Sequence, residues 1–448
     1  MNSKSRVGLV LSRTSGWVCG AAMLVPLLIA CGSVDGTAPS LEESTQGLAA
    51  EGSGDAAAVL ARTDEVQGYL ERTYFSRLNV IATTEGPLGE VVDWVDPHAL
   101  DPSYDQRTPP PADALPPLDD QKAQKTTDAA PTLVAAGDDL TTSWKKAAEK
   151  APKGTVPVVR PNFDYYVSGK SGKRSVDDFV AALAKPQPAG QNRLYTSKVH
   201  SLTNIGTQGW IQYVNPAQVP STGAFSLTQL ASLCWGSGGS TTLEAIEIGL
   251  QKFPEKYGNS NLHFFTFFRT HGSDSGNFVG GYNLDVAGFV QQAGAFPPGA
   301  IIPDPPAGQA HQRRLRSTLF NGAWWVQDYV SDAAFTWLGY YPIGTGANQI
   351  PFDLINTSAC DTHWYGEVFD STPTNWHDGD LGNGVLGTSG GSLAFLEMII
   401  QQTASNVWFA GSGTATDSAC YAMTNVQNNG TTNWFNFGGP GGDAVGCN

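Results

Sequence analysis

Beyond residue 190 the chain is a succession of short aromatic or β-branched segments, each closed off by Gly, Asn, Ser or Pro. They lie at 210–214, 243–250, 262–268, 323–330, 337–341, 364–369 and 434–437. Segments of this length and punctuation predict strands. Long helices at βαβ spacing are missing between them, which favours an all-β antiparallel sandwich or barrel over a parallel α/β sheet. One stretch, 393–402, carries apolar residues at a helical spacing and is expected to be a helix.

The first half is built differently, because only six of the 26 Lys and Arg lie beyond residue 200: Lys252, Lys256, Arg269, Arg313, Arg314 and Arg316. Lys4, Arg6 and Arg13 precede an apolar run over 17–30 that is short for a membrane span and reads as an export signal covering 1–30. The run ends Leu28-Ile29-Ala30-Cys31, which resembles the lipobox of bacterial lipoproteins. Cys31 is then the lipidated residue, and Gly32 after it suits sorting to the outer membrane. An ordinary secretory signal with an incidental Cys is the alternative. Residues 31–58 are small and polar, as a tether should be. Residues 59–75 have helical spacing, 89–95 read as a short strand, and the Pro-rich tract 109–117 holds no regular helix. This composition fits a smaller α+β domain over 59–188, ending at the linker Lys185-Pro186-Gln187-Pro188-Ala189-Gly190. The all-β domain then occupies 189–448.

A net charge of −15 excludes the electrostatic footprint of a nucleic-acid binder. In an oxidising compartment Cys234, Cys360, Cys420 and Cys447 predict two disulfides, with three pairings open. No C-x-x-C or H-E-x-x-H occurs, so neither a metal nor a cofactor is expected. Gly387-Thr388-Ser389-Gly390-Gly391 matches a nucleophile elbow, but the last histidine is His377 and an α/β-hydrolase needs its His downstream, which leaves a Gly-rich turn or, on a β-barrel, a serine whose His and Asp lie upstream. His377-Asp378-Gly379-Asp380 lacks the spaced carboxylates of a calcium loop and reads as a surface turn. Gly438-Gly439-Pro440-Gly441-Gly442 has no helix after it and cannot be a dinucleotide fingerprint. His363 is a general-base candidate or a simply hydrogen-bonded strand histidine. The Arg313-Arg314-Leu315-Arg316 cluster is expected to be solvated.

The carboxylates are more informative. After residue 190 there are five glutamates: Glu244, Glu247, Glu255, Glu367 and Glu397. Glu255 falls in a polar turn and Glu397 in the expected helix. Strand alternation puts Glu247 on a face with Leu243, Ala245 and Gly249, small neighbours that leave room beside it. It puts Glu367 with His363, Tyr365 and Phe369, so that aromatic surface frames this carboxylate.

These glutamates stand within an ordered set of motifs. Gly89-Glu90-Val91-Val92-Asp93 and Lys153-Gly154-Thr155-Val156-Pro157 come first. Phe225-Ser226-Leu227-Thr228-Gln229, Ile246-Glu247 with Gly249, Tyr257-Gly258 and Gly288-Phe289-Val290-Gln291 follow. Trp324-Trp325, Gly339-Tyr340-Tyr341-Pro342, Gly366-Glu367 and Phe437-Gly438-Gly439-Pro440-Gly441 complete the order. The set resembles the neprosin family of secreted glutamic endopeptidases. That resemblance implies a two-sheet β-sandwich catalytic domain, the catalytic pair Glu247 and Glu367, cleavage after proline, and a zymogen inhibited by its own N-terminal propeptide. It also implies pairing of Cys420 with Cys447, which leaves Cys234 with Cys360. Pro186 and Pro188 become candidate self-processing sites, the alternative being a constitutive interdomain linker. The sequence departs from the family at Leu250, where Trp is common, at Tyr365, where the family has Gly, and at Gly281 and Val286, where plant members carry a disulfide.

Two carboxylates suit peptide hydrolysis because water must be deprotonated to attack and the leaving nitrogen must be protonated to depart. The pair is expected to share one proton and to favour acidic pH. The expected enzyme is a monomer acting on proteins or peptides, anchored through Cys31 before maturation, and either an outer-membrane lipoprotein or a released extracellular enzyme of a bacterium. A glycoside hydrolase using the same carboxylates, or a non-catalytic sandwich that binds surfaces, are the other classes the pattern admits.

Overall fold

The computed structural model describes residues 53–111, 139–184, 193–219, 223–237, 242–270, 279–306, 309–331, 334–370, 379–415, 419–430 and 432–443. The export segment, Cys31, Pro186, Pro188, His377, Asp378 and Cys447 lie outside the described residues.

The N-terminal region opens on the helix Ser53–Leu70, continued by a wider turn over Glu71–Phe75. The helix takes in residues expected to end the tether, because Ala56, Ala57 and Ala58 are strong helix formers. Strands β1 (Val80–Glu85), β2 (Val91–Val95) and β3 (Val156–Val159) form an antiparallel sheet in that order. Helices Asp139–Lys150 and Val176–Ala184 accompany it. Asp93, at the middle of β2, is buried; it accepts from Arg160 Nε at 2.8 Å and from the Tyr74 hydroxyl at 3.0 Å, so its charge is neutralised locally.

The remainder is β. In chain order the strands are β4 (Arg193–Asn204), β5 (Gly206–Tyr213), β6 (Ala224–Trp235), β7 (Leu243–Lys252) and β8 (Leu262–Arg269). The short β9 (Gly280–Tyr282), β10 (Val290–Gln291) and β11 (Ile301–Ile302) follow. Next come β12 (His311–Phe320), β13 (Ala323–Ser331), β14 (Ala334–Pro342), β15 (Ala359–Asp370) and β16 (Leu393–Gln401). The chain closes through β17 (Asn406–Trp408), β18 (Ala422–Met423), β19 (Gln427–Asn428) and β20 (Asn433–Gly438). One sheet runs β11-β8-β7-β6-β15-β4, with β9 added to β8. The other runs β10-β14-β13-β12-β5-β16-β20-β18, with β17 and β19 at its margin. All of these strand pairs are antiparallel.

Alternation decides what each face buries. On β15, Trp364 and Val368 enter the main apolar core between the sheets, whereas Tyr365 and Phe369 belong to a second aromatic cluster on the outer face. Ile246 and Ile248 of β7 point inward in the same way, and Ala245 outward.

Three expectations are corrected. Residues 393–401 are a strand, not a helix. Leu393, Phe395, Met398 and Ile400 all reach the main core, while Ala394 and Leu396 face the other side. A bulge between Leu396 and Ile399, with Glu397 at φ 48°, inserts one residue and turns a period of two into a gap of three. That gap imitates helical spacing. The arginine cluster is not solvated: Arg313 and Arg316 on β12 are each 1% exposed. Arg313 makes a two-pronged contact with Asp328, 2.8 Å on each arm, and lies over Phe296; Arg316 donates to Thr318 and Gln327 and lies over Trp337. Glu255 too is buried, in the single helical turn Pro254–Tyr257.

The N-terminal region packs directly on the β region, and the main core runs through both. Ile301 N donates to Glu90 Oε1 at 2.8 Å, the Tyr340 hydroxyl to Asp101 Oδ2 at 2.9 Å, and Asn348 Nδ2 to Ala99 O at 2.9 Å. Arg77 reaches Leu284 O at 2.6 Å. On the outer face of the first sheet, Leu183 of helix Val176–Ala184 packs against the aromatic cluster beside Tyr195 and Tyr282.

Candidate active site

Strand β6 lies between β7 and β15, and its pairings set the outer face in rows. Glu247 stands opposite Ala231, which stands opposite His363. Gly249, Gln229 and Tyr365 form the next row, and Gln251, Leu227 and Glu367 the one after. Glu247 and Glu367 therefore share one face of one sheet, on a diagonal: two strand spacings across and four residues along. On a flat sheet this would separate their Cα atoms by roughly 16 Å. The middle row lies between them in the register.

That middle row carries the contacts. Gln229 Nε2 donates to Glu247 Oε2 at 2.8 Å, and the Tyr365 hydroxyl donates to the same oxygen at 3.2 Å. The third position of the row is Gly249, where a Cβ would fall 2.2 Å from Thr228 O and 2.7 Å from Gln229 Cβ. Only glycine permits this approach of β7 to β6, and its missing side chain leaves Gln229 and Tyr365 room to reach Glu247. Glu247 is half-buried, whereas Glu367 is 3% exposed. Burial, reinforced by the charges of Glu247 and Glu367, holds the Tyr365 phenol far above its ordinary pKa. Tyr365 is thus a permanent donor within electrostatic reach of both carboxylates.

Phe267 of β8 faces Glu247 from the other side, and Tyr195 of β4 is paired with Glu367. The Tyr195 and Tyr365 rings lie 6.1 Å apart. Phe225 and Phe369, 5.3 Å apart, extend the apolar floor beyond Glu367. These rings would hold an apolar stretch of ligand and exclude water from the carboxylates.

His363 lies across Ala231 from Glu247 and edge-on to Tyr365 at 6.4 Å. Its Nε2 has no hydrogen-bond partner among the described residues, and burial lowers its pKa to about 4. His263 of β8, hydrogen-bonded to Gly299 O and Asn259 Oδ1, is likewise lowered to about 4 by burial. Both imidazoles are neutral in the folded protein down to about pH 4, but take protons near pH 6.5 when unfolded. The unfolded chain then binds more protons, so stability contributed by these sites is present above pH 6.5 and is lost as pH falls toward 4. The thermal midpoint should decline over that window, and His263→Gln should flatten the decline; an equal slope in wild type and variant would remove His263 as its cause.

The bridge Cys234–Cys360 joins β6 to β15, with Cα atoms 4.9 Å apart, next to the row holding Leu233 and Asp361. It ties the strand of Glu367 to the strand between the two glutamates, and does not reach β7. Cys420 is also disulfide-bonded, and its expected partner Cys447 lies outside the described residues. Ser389 sits in a turn, with Gly391 at φ 90°. Among the described residues no cluster of three or more His, Cys, Asp or Glu is placed to hold a metal ion.

Gln229 escapes a reading based on glutamates and histidines. Its signal is a polar residue inside a strand with nothing polar two positions either way on the same face, since Leu227 and Ala231 flank it.

The family model described as Neprosin matches residues 222–440, a segment that contains β6, β7, β15 and both glutamates. Over this part of its length the chain is homologous to that family. Among solved structures, the full-length tailspike protein 2 from Escherichia coli O157:H7 bacteriophage CAB120 is similar at 12% identity with a TM-score of 0.22. The match covers 67% of this chain and 27% of the tailspike, a likeness too slight to bear on fold or activity.

Proposed function

We propose that the chain is a member of the neprosin family and a glutamic endopeptidase, with Glu247 and Glu367 as its catalytic carboxylates. The observation that carries this reading is the shared outer face of β6, β7 and β15, where both glutamates flank Tyr365 within the segment homologous to that family.

In this reading a peptide lies across the middle row, between the carboxylates. One glutamate takes a proton from water as the water oxygen bonds to the scissile carbonyl carbon. The carbonyl π electrons move onto their oxygen, which the other, protonated carboxyl steadies with a hydrogen bond. When the tetrahedral centre collapses, the protonated carboxyl gives its proton to the nitrogen, the C–N bond breaks, the carbonyl re-forms and the amine leaves, while the first glutamate still holds the proton it took from water. The diagonal spacing favours action from two sides of the substrate over direct contact between the carboxyls. Because one member must carry a proton, the rate is highest in acid.

Resemblance to the family supports cleavage after proline, and the apolar floor suits such a residue. The packing of Leu183 against the aromatic cluster on this face supports the N-terminal region as an inhibitory propeptide released by cleavage near Pro186 or Pro188. Cys31 as a lipid anchor would then stay with the propeptide. The test is a peptide-library digest of acid-incubated protein at acidic and neutral pH. Cleavage after proline that fades toward neutrality is expected. Intact peptides at both pH values, or hydrolysis of a polysaccharide instead, would overturn the reading.

A further inference from the structure

We infer that Tyr365 is a positioning residue that, together with Gln229, holds Glu247 ionised and so makes Glu247 the member of the pair that deprotonates water. The inference rests on the proposed peptidase reading for its catalytic half and on geometry alone for its electrostatic half.

The phenol and the Gln229 amide both donate to one oxygen of Glu247. Hydrogen bonds from neutral donors stabilise a carboxylate more than a carboxylic acid. Tyr365 is suited to this because it keeps its own proton: it is buried in the aromatic cluster with its ring against Tyr195. Its place is also particular. It comes from β15, reaches over the intervening β6 and closes on β7, so one hydroxyl ties the strand of Glu367 to the side chain of Glu247. A glycine at this position would leave Glu247 with Gln229 but without the second donor.

Other titratable or charged groups surround Glu247 among the described residues. They are Arg269 on β8, Tyr282 on β9 paired with Phe267, His363 and Glu367 on β15, Tyr195 on β4, and Tyr341 on the core side of the sheet. His363 changes charge in the same acidic range as a carboxylate, so an activity profile alone would not separate the two.

The deciding measurement follows the carboxyl carbons of full-length protein labelled with 13C-glutamate, the Glu247 resonance being the one lost in Glu247→Gln. In Tyr365→Phe the ring remains and only the hydroxyl goes, and the Glu247 midpoint should rise by about one pH unit. The acidic limb of kcat/KM should rise with it, costing about tenfold in rate at the acid end and little above the shifted limb. Incorporation of 3-fluorotyrosine at 365, a better donor of nearly the same shape, should move the midpoint downward, and this arm remains if Tyr365→Phe does not fold. An unchanged Glu247 midpoint in either variant overturns the inference. A lower kcat with an unmoved acidic limb overturns its catalytic half and leaves Tyr365 a packing residue. A shifted midpoint in a protein that cleaves no peptide sustains the electrostatic half and defeats the peptidase reading instead.

Discussion

Glu247→Gln and Glu367→Gln should each lower kcat for peptide cleavage by about 10²- to 10⁴-fold, the range that a positioned acid or base supplies. Each change keeps the side-chain volume and removes only the capacity to exchange a proton. Gln229 and Tyr365 can still donate to the amide oxygen of Gln at 247, so the fold should survive with unaltered circular dichroism. The double variant should be little slower than the slower single one, because groups that act as a unit lose most of their effect when either is removed. Single-turnover rates at the acidic optimum, measured on the three variants, check this. A single variant within tenfold of wild type would show that its carboxylate is not part of the chemistry. Losses that multiply in the double variant would show two carboxylates working in independent steps.

The two glutamates were within reach of sequence reasoning because each lies in a strand whose alternation can be counted locally. Ala245 and Gly249 around Glu247, and Tyr365 and Phe369 around Glu367, reveal the face without knowledge of any partner strand. Their diagonal placement could not be found that way. It depends on the register of β6 against both neighbours, a pairing specified by residues far apart in the chain. Strand β6 itself was not legible. It is buried on both faces, and Ser226, Thr228, Gln229 and Ser232 interrupt its apolar pattern, two of them, Gln229 and Ser232, meeting partners unknown to local sequence. The Ser232 hydroxyl, for one, meets that of Ser317 on β12 at 3.2 Å across the sandwich. The bulge in β16 misled for the opposite reason: its apolar residues are in plain view, but one inserted position changes their period.

The arginines of β12 are the sharpest case, since charge counted along the sequence says nothing of the charge that comes to meet it. Burial works against the ionised form of Arg313, yet the carboxylate of Asp328 more than offsets it, and the guanidinium ends above its ordinary pKa. The pair forms diagonally across neighbouring strands, since Asp328 stands directly opposite Leu315 and Arg313 lies two positions along β12 from it, with both side chains 1% exposed. Breaking such a pair leaves a lone buried charge. Asp328→Asn or Arg313→Met should therefore each cost about 3–5 kcal/mol of unfolding free energy, whereas Arg313→Met with Asp328→Leu should recover most of that loss. Urea unfolding of the two single variants and the double one measures it. Single variants within 1 kcal/mol of wild type would mean that water reaches the pair and that it acts like a surface ion pair. A double variant as unstable as the singles would mean that packing, and not the stranded charge, accounts for the cost.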